Sequence, residues 1–512
     1  MRLPRVGVLS AVVLAGLLGT GAPSWGQGTE HITVNAAEKG TPLPHFWEQM
    51  FGSGRAILTL RQSYRDDIKT VKAVTDFKYV RFHGIFHDEV GLFDLDKDGK
   101  PVYNFSYIDQ IYDGLLENGL KPFVELSFTP KKMASDPAAL HAFWYKQNVS
   151  PPKDYALWDD MITQFTRHLV ERYGEAEVAT WYFEVWNEPN IDFWVGKPAQ
   201  ATYFELYDHT ARAIKKVDPA LRVGGPSTAQ AAWAGDFLAH CKANNVPVDF
   251  VSNHVYANDT ANDVFKTDEN IPRDRMVCRA VKKVHEEIAA SAYPNLPFFL
   301  SEYNASYANE PNVTDSVYMG PWLADTIRQC DGMTTMMSYW SFSDVFEEQG
   351  VVKTPFYGGF GVVAVDGIPK PALNAFAMLH KLGTRRLPVD SESALATKTE
   401  SGRVVMALWN YAAPDGTGDK YTPPATVGEG RRFEVEVRDS RATTATVWRL
   451  DRKHGNVVAA FDAMGRPPFP SRKQIAELRV AGKMAAAETV RVSHGKFSLM
   501  IPAQGLVVVE LR

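Results

Sequence analysis

Carboxylates sit where a buried strand can least accommodate them. The stretch WYFEVWNEPN, residues 181–190, is dominated by aromatic and apolar residues, yet Glu184 interrupts it and Asn187-Glu188-Pro189 closes it. A second apolar run, FFLSEYN, carries Glu302 near its end. A carboxylate pointing into an apolar interior is costly unless it is paired or used. Two of them facing each other suit hydrolysis of a glycosidic bond: one is protonated to assist the leaving oxygen, the other ionised to attack the anomeric carbon or activate water. A separation of about 5 Å means retention, and roughly 6.5–9.5 Å means inversion. Either glutamate alone reads as a rim residue in a salt bridge; the pair reads as chemistry.

The neighbours extend this reading. Strand alternation sends Asn187 and Glu188 to opposite faces, so both reach one site only if the strand breaks or bulges there, and Pro189 is consistent with pairing that ends at that point. Glu184 shares parity with Trp186 and Glu188, points inward below them, and needs a cation. Arg81 in YVRFHG shares parity with His83 and is the best candidate, although a purely structural buried pair is an equal reading. Tyr256 is placed to donate to Glu302 and keep it ionised. Trp340 reads as the platform under a sugar ring, and Phe128 and Phe193 as pocket walls, with aromatic core packing the competing reading for all three. His83, His87 and Asp88 are too few and too loosely spaced for a metal site.

These residues need a scaffold that gathers strand ends. From about Phe46 to Leu382 the chain alternates eight short apolar runs with amphipathic segments: FWEQMFGS, YVRFHG, KPFVELSF, WYFEVWNE, RVGGPS, DFVSNHVY, PFFLSEYN and TMMSYWSF. In YALWDDMITQFTRHLVERYG, Leu157, Met161, Phe165 and Leu169 recur at helical spacing and form one apolar face. Eight strand–helix units predict an α/β fold, a (β/α)8 TIM barrel with enlarged loops, whose active site lies at the C-terminal ends of the strands. An open doubly wound sheet is the competing layout, but no glycine-rich phosphate turn is present. Glu188 then closes strand four and Glu302 strand seven. The texture changes after Leu382 to short alternating runs separated by Gly, Pro and Asp, with few helical stretches, which predicts a β-sandwich. The expected divisions are a signal peptide over 1–26, an N-terminal strand segment over 30–43 that joins the sandwich, a barrel over 44–384 and an accessory β-sandwich over 385–512.

On these residues the chain resembles a known family. WYFEVWNEPN and SEYNAS look like the two signatures of the large clan of retaining (β/α)8 glycosidases. RFHGIFHDEVG, PFVELSFTP, FVSNHVYAND and YWSFSDVFEEQG are similar to glycoside hydrolase family 39, which includes β-xylosidases and α-L-iduronidases. The resemblance covers roughly residues 30–500. It implies Glu188 as general acid/base, Glu302 as nucleophile, double displacement with retention, an arginine from strand two on the nucleophile, and no metal or organic cofactor. It also implies His83 and His254 as sugar contacts and Glu347 and Glu348 as the paired acids that bind outer hydroxyls, while Asn187 is placed to meet the 2-hydroxyl. The substrate expected is a β-1,4-linked xylo-oligosaccharide trimmed by single xyloses. An iduronide, arabinoside or exopolysaccharide is the alternative within the family, and a non-catalytic carbohydrate-binding protein the alternative outside it. An iduronidase needs Arg or Lys against the substrate carboxylate. Among the rim motifs, histidines aside, only Arg81 is basic, though Lys131, Lys132 and Lys146 on the loop over 129–154 remain candidates.

Composition bounds the rest. The 512 residues carry a net charge of −5 with 12% aromatic content and no basic block, which argues against a nucleic-acid partner and fits a neutral sugar ligand. Arg2 and Arg5 precede the apolar stretch VGVLSAVVLAGLLG and then APSWGQ, the pattern of a secretory signal cleaved after Gly26, with an uncleaved anchor as the alternative. The expected location is secreted or periplasmic, with no membrane contact once the signal is removed. Cys241, Cys278 and Cys330 match no metal site; they read as buried small apolar residues among which at most one disulfide can form. Nothing in the sequence sets an oligomeric state.

Overall fold

The computed structural model describes residues 28–423 and 429–512. The segment read as a signal lies outside the described residues. Eight strands, Met50–Ser53, Tyr79–Phe82, Lys121–Leu126, Tyr182–Val185, Arg222–Thr228, Phe250–Tyr256, Phe298–Asn304 and Met336–Tyr339, pair in parallel and in chain order into a closed barrel. They are the eight apolar runs of the sequence, here barrel strands one to eight. The bottom of the barrel is filled by Met50, Phe123, Phe250, Phe299 and Met336, which form a cluster of their own. The helix after strand three, Tyr155–Tyr173, shows how the periodicity becomes structure. Asp154 caps it by accepting from the Ala156 amide at 2.8 Å. Met161, Phe165 and Leu169 are buried against the barrel while Leu157 lies at the edge of the face. Gly174, at φ 85°, ends the helix in a conformation only glycine adopts freely.

Thr29–Asn35 runs parallel to Arg431–Arg438, which pairs antiparallel with Lys496–Ile501. Thr41–Pro42, Arg385–Leu387, Ala394–Lys398, Val404–Asn410, Gly505–Leu511, Thr444–Leu450 and Glu488–Arg491 form a second sheet in that spatial order. Ile32, Val34, Phe433, Val435 and Leu499 of the first sheet share one core with Met406, Leu408, Val447 and Val509 of the second, which makes the pair a sandwich. The sequence reading missed two helices in this region, Val457–Ala463 and Arg472–Ala481. The second carries a signal in the sequence, a capping box in which Ser471 and Gln474 satisfy each other's backbone amides.

The three cysteines hold the one disulfide that the sequence allows. Cys278 and Cys330 form a disulfide, and only Cys241 is free and buried. Their helices, Arg273–Ala289 and Met319–Cys330, pack side by side, a neighbourhood that the spacing of the cysteines does not encode.

The two ends of the barrel segment are clamped together electrostatically. The fully buried Glu48, just before strand one, lies 2.5 Å from His45 Nδ1 and 2.9 Å from Nδ1 of His380, which follows the last barrel helix, Pro371–Leu379. Burial alone raises the Glu48 carboxyl, but the two histidines outweigh it and hold Glu48 below the usual range. The hydrogen bond that its ring donates to Glu48 raises His380 against the desolvation of that ring. A raised histidine stabilises fully below its unfolded value of about 6.5 and loses that contribution as pH rises through its folded value. A lowered carboxyl stabilises above about 4.5 and loses its contribution as pH falls through its folded value. His380→Gln is therefore expected to cost about 1 kcal/mol near pH 5.5, a figure reduced because the ring is half exposed, and little near pH 9. Urea midpoints of the two proteins at both pH values measure this; an equal cost at both would show that the clamp is not ionic.

Candidate active site

Strand four stops pairing at Val185, and the backbone then takes two left-handed steps, Trp186 at φ 71° and Glu188 at φ 46°. Such conformations are unfavourable for bulky side chains and need support from their surroundings. Ser227, on strand five, supplies it. Its hydroxyl donates to the Val185 and Trp186 carbonyls at 3.1 and 3.0 Å, and its own carbonyl accepts from the Glu188 amide at 2.9 Å. The Trp186 indole donates to the Phe193 carbonyl at 2.9 Å. This break is what lets Asn187 and Glu188, adjacent in sequence, both line one cavity.

Across the barrel mouth stands Glu302, on strand seven, 5% exposed against 8% for Glu188. Oxygens of the two carboxylates and a nitrogen of His254 all lie within 4.8 Å of one another. That is the spacing of a retaining pair rather than an inverting one. Arg81 lies directly below, wholly buried. Its Nε donates to Glu184 at 2.6 Å, one terminal nitrogen to Glu302 at 3.0 Å, and the other to Asn187 Oδ1 at 2.9 Å while also lying 2.9 Å from Glu125. One guanidinium fork thus orients an acid at the bottom of the site, another beside it, one of the facing pair, and the amide next to the other. Ser301 donates to the remaining oxygen of Glu184 at 2.6 Å.

The pair is divided by its surroundings. Burial raises both carboxyls. Glu188 is pushed well up, by burial and then by the charge on Glu302, whereas Arg81, His83 and the donating Tyr256 hydroxyl draw Glu302 back. Glu188 is the member that holds a proton and Glu302 the member that ionises. His254, wholly buried with Nδ1 3.0 Å from Glu188, is kept well below its ordinary value by burial and then by Arg81 and His83, so it stays neutral and does not compete for that proton. Glu188, His254 and Glu302 present a donor set of metal type, but the charge on Glu302 is already met by Arg81.

The other residues singled out in the sequence take three kinds of position. His83, Phe193, Tyr256, Trp340 and Glu348 line the cavity with the facing pair and Asn187. Trp340 packs so close to strand one that a Cβ on Gly52 would stand 2.1 Å from its ring, so only glycine leaves room for it. Glu348 is pushed well above the carboxylate range by burial and then by the charge on Glu302. His254 and Phe128 are buried outside the cavity wall, Phe128 with its ring 6.2 Å from Phe193 and 5.4 Å from Trp186. Glu347 faces away, held by Arg61 at 2.5 Å and by Arg55 at 3.2 Å. It anchors the segment that presents Glu348.

Sequence reasoning missed Glu125, on strand three. It lies 2.7 Å from His83 Nδ1, accepts from Ser127, and is held below its usual range: burial raises it, but His83 and Arg81 overcome that. The signal was present, because Glu125 interrupts an apolar strand just as Glu184 does.

Residues 30–496 match the model of glycosyl hydrolases family 39. The chain belongs to this family. It is 38% identical over 469 residues to a β-xylosidase of Geobacillus stearothermophilus, spanning 89% of this chain and 90% of that one. It is 36% identical to a β-xylosidase of Caldicellulosiruptor saccharolyticus, spanning 94% and 98%. The crystal structure of a monomeric β-xylosidase from Caulobacter crescentus superimposes with a TM-score of 0.85 at 35% identity, spanning 94% of this chain and 99% of that one. As a family 39 member the chain is a retaining glycoside hydrolase acting on glycosidic substrates, and the carboxylate spacing agrees with that chemistry. No helix of the described residues is long and apolar enough to cross a membrane.

Proposed function

We propose that this family 39 hydrolase is an exo-acting β-xylosidase that releases xylose from β-1,4-linked xylo-oligosaccharides, with Glu188 as acid/base and Glu302 as nucleophile. The glycosidic oxygen takes the Glu188 proton as its bond to the anomeric carbon breaks, and a Glu302 oxygen forms the new bond to that carbon from the opposite face. Water then gives a proton to Glu188 and attacks the same carbon, the bond to Glu302 breaks, and two inversions restore the β configuration. Arg81 and Tyr256 steady the charge on Glu302 before the first step and again after the second.

The observation that carries the choice of sugar is the lack of a lysine or arginine in the cavity wall. Glu188, Asp259, Asp263, Glu302 and Glu348 line it, and no lysine or arginine does. Lys131, Lys132 and Lys146 of the long loop stand outside it. An iduronide would bring a carboxylate into a wall that offers it no lysine or arginine and already holds the Glu302 carboxylate, whereas a neutral pentose brings only hydroxyls. The cavity, about 300 Å³, lies at the small end of the range for small-molecule sites, in keeping with single-residue trimming. The names of the two bacterial relatives support the same reading.

The test is a panel of p-nitrophenyl β-xyloside, α-arabinoside, β-glucoside and α-iduronide. The xyloside is expected to show the highest kcat/KM. A higher value on another glycoside would reassign the substrate, and no turnover on any would favour a binding protein. We also propose that the chain is exported with removal of residues 1–26. N-terminal sequencing of the protein recovered outside the cytoplasm is expected to begin after Gly26; recovery from the cytoplasm with Met1 intact would overturn this.

A further inference from the structure

A proton leaving Glu188 goes to the oxygen of the departing group, so the departing sugar must lie on the Glu188 side of the cavity. The loops after strands four, five and seven contribute Ile191, Gln230 and Tyr307 to the cavity wall. Asn190 exchanges two hydrogen bonds with Ala229, its amide donating at 3.0 Å and its carbonyl accepting at 2.9 Å, which ties the loop after strand five to the segment that carries Glu188. The next residue, Gln230, is held at φ 59° and half-buried in the cavity wall. The loop after strand seven is fixed when the Tyr307 amide donates to Asn258 Oδ1 at 2.9 Å. The Tyr307 ring stands edge-on to Tyr256, 6.1 Å between centroids, yet it is 56% exposed on the cavity rim.

Two features set these side chains apart. The inner wall is made of groups already engaged: His83 with Glu125, Glu302 with Arg81 and Tyr256, Glu188 with His254. The Gln230 amide and the Tyr307 hydroxyl have no partner among the described residues. An amide with free donor and acceptor atoms on a constrained turn, in the same cavity wall as a flat, accessible phenol ring, makes a pair suited to a pyranose: hydroxyls to the amide, C–H face to the ring. We propose that Gln230 and Tyr307 form the subsite for the leaving-group sugar, a neutral pyranose, and that the same subsite receives a sugar acceptor in the second step. This rests on the xylosidase reading above. In transfer, the acceptor hydroxyl gives its proton to Glu188 as its oxygen bonds to the anomeric carbon, and the bond from that carbon to Glu302 breaks.

The test compares Gln230→Ala, Tyr307→Ala and Tyr307→Phe with the parent chain on two substrates. Xylobiose needs the subsite; 2,4-dinitrophenyl β-xyloside leaves with little help and does not. Each alanine variant is expected to lose about tenfold in kcat/KM on xylobiose, the size of one polar or stacking contact, and to stay within about twofold on the aryl xyloside. Tyr307→Phe, which keeps the ring, is expected to lose less than Tyr307→Ala. With xylobiose added as acceptor to the aryl-xyloside reaction, the fraction of xylotriose formed is expected to fall in both alanine variants. Unchanged xylobiose kinetics, or an equal loss on both substrates, would overturn the subsite while leaving the xylosidase reading intact. Absence of turnover of either xyloside by the parent chain would overturn both.

Discussion

Alanine at Glu302 is expected to remove turnover of every glycoside, while alanine at Glu188 removes it only where the leaving group needs a proton. The two carboxylates share one cavity and lie within 4.8 Å of each other, so position does not separate them; their partners do. Glu302 is met by Arg81 at 3.0 Å and by the Tyr256 hydroxyl, as an ionised nucleophile requires. Among the described residues the Glu188 carboxyl bonds only a neutral histidine, and it is raised by burial and by its neighbour's charge, as a proton donor requires. Without Glu302 no covalent intermediate forms, and kcat should fall by more than about 10⁴-fold on any leaving group. Without Glu188, dinitrophenolate still departs, the intermediate accumulates, and its hydrolysis slows by about 10²–10⁴-fold for want of a base. Azide, which needs no base, should restore turnover of Glu188→Ala and yield the β-glycosyl azide. With Glu302→Ala it should attack the substrate directly and yield the inverted α-azide. Product configurations read by NMR decide the assignment: the opposite pairing would exchange the two roles, and rescue of neither would remove both. Glu302→Gln should also lower the pKa of Glu188, because the neighbouring charge is the second cause of its elevation. Carbon NMR of labelled glutamate measures that shift.

Replacing Arg81 is expected to damage stability and catalysis together. Its guanidinium holds Glu184, Glu125 and Glu302 and also bonds Asn187, all at zero or nearly zero exposure. Taking one partner out of a buried ion pair leaves charge without compensation, typically at about 3–5 kcal/mol. Arg81→Ala leaves three carboxylates facing one another, so the loss should reach at least that range, and urea denaturation measures it. Arg81→Lys restores one charge but not the fork: a single ammonium cannot reach three acids and an amide in their present directions. Part of the stability should return with lysine while kcat stays at least about 10²-fold down, because Glu302 and Asn187 lose their common orientation. Glu184→Gln separates the two effects, since Glu184 lies below the cavity and outside its wall. It should change the denaturation midpoint more than kcat. Full activity in Arg81→Lys would show that charge alone, without the fork, suffices.

Much of the scaffold is legible in the residues because it follows from periodicity. Eight apolar runs separated by amphipathic segments leave few ways to bury every run, and the closed parallel barrel is the one adopted. Strand parity places Glu184 and Arg81 on the same inward side, and the structure joins them at 2.6 Å. It also shows that Asn187 and Glu188 need a broken strand to share a site. How that break is held could not be read, because Ser227 lies on a different strand and meets Trp186 only after the barrel closes. Glu125 was legible by the same parity and was overlooked. The destinations of Glu347 and Phe128 were not legible. Adjacent glutamates in DVFEEQG divide between an arginine pair and the cavity according to the left-handed turn at Glu347, φ 71°. Phe128 is displaced from the wall by Phe193, which the loop after strand four lays in front of it. The Cys278–Cys330 bond depended on which helices become neighbours. Gln230 and Tyr307 lie on loops with no period to read. Sequence by itself therefore determined which chemistry the chain carries and on which strand ends, since hydrophobic period and residue type are local properties. Only the tertiary structure decided which charges meet, which acid keeps its proton and which polar groups remain unpaired, since distance and desolvation come from the closed barrel.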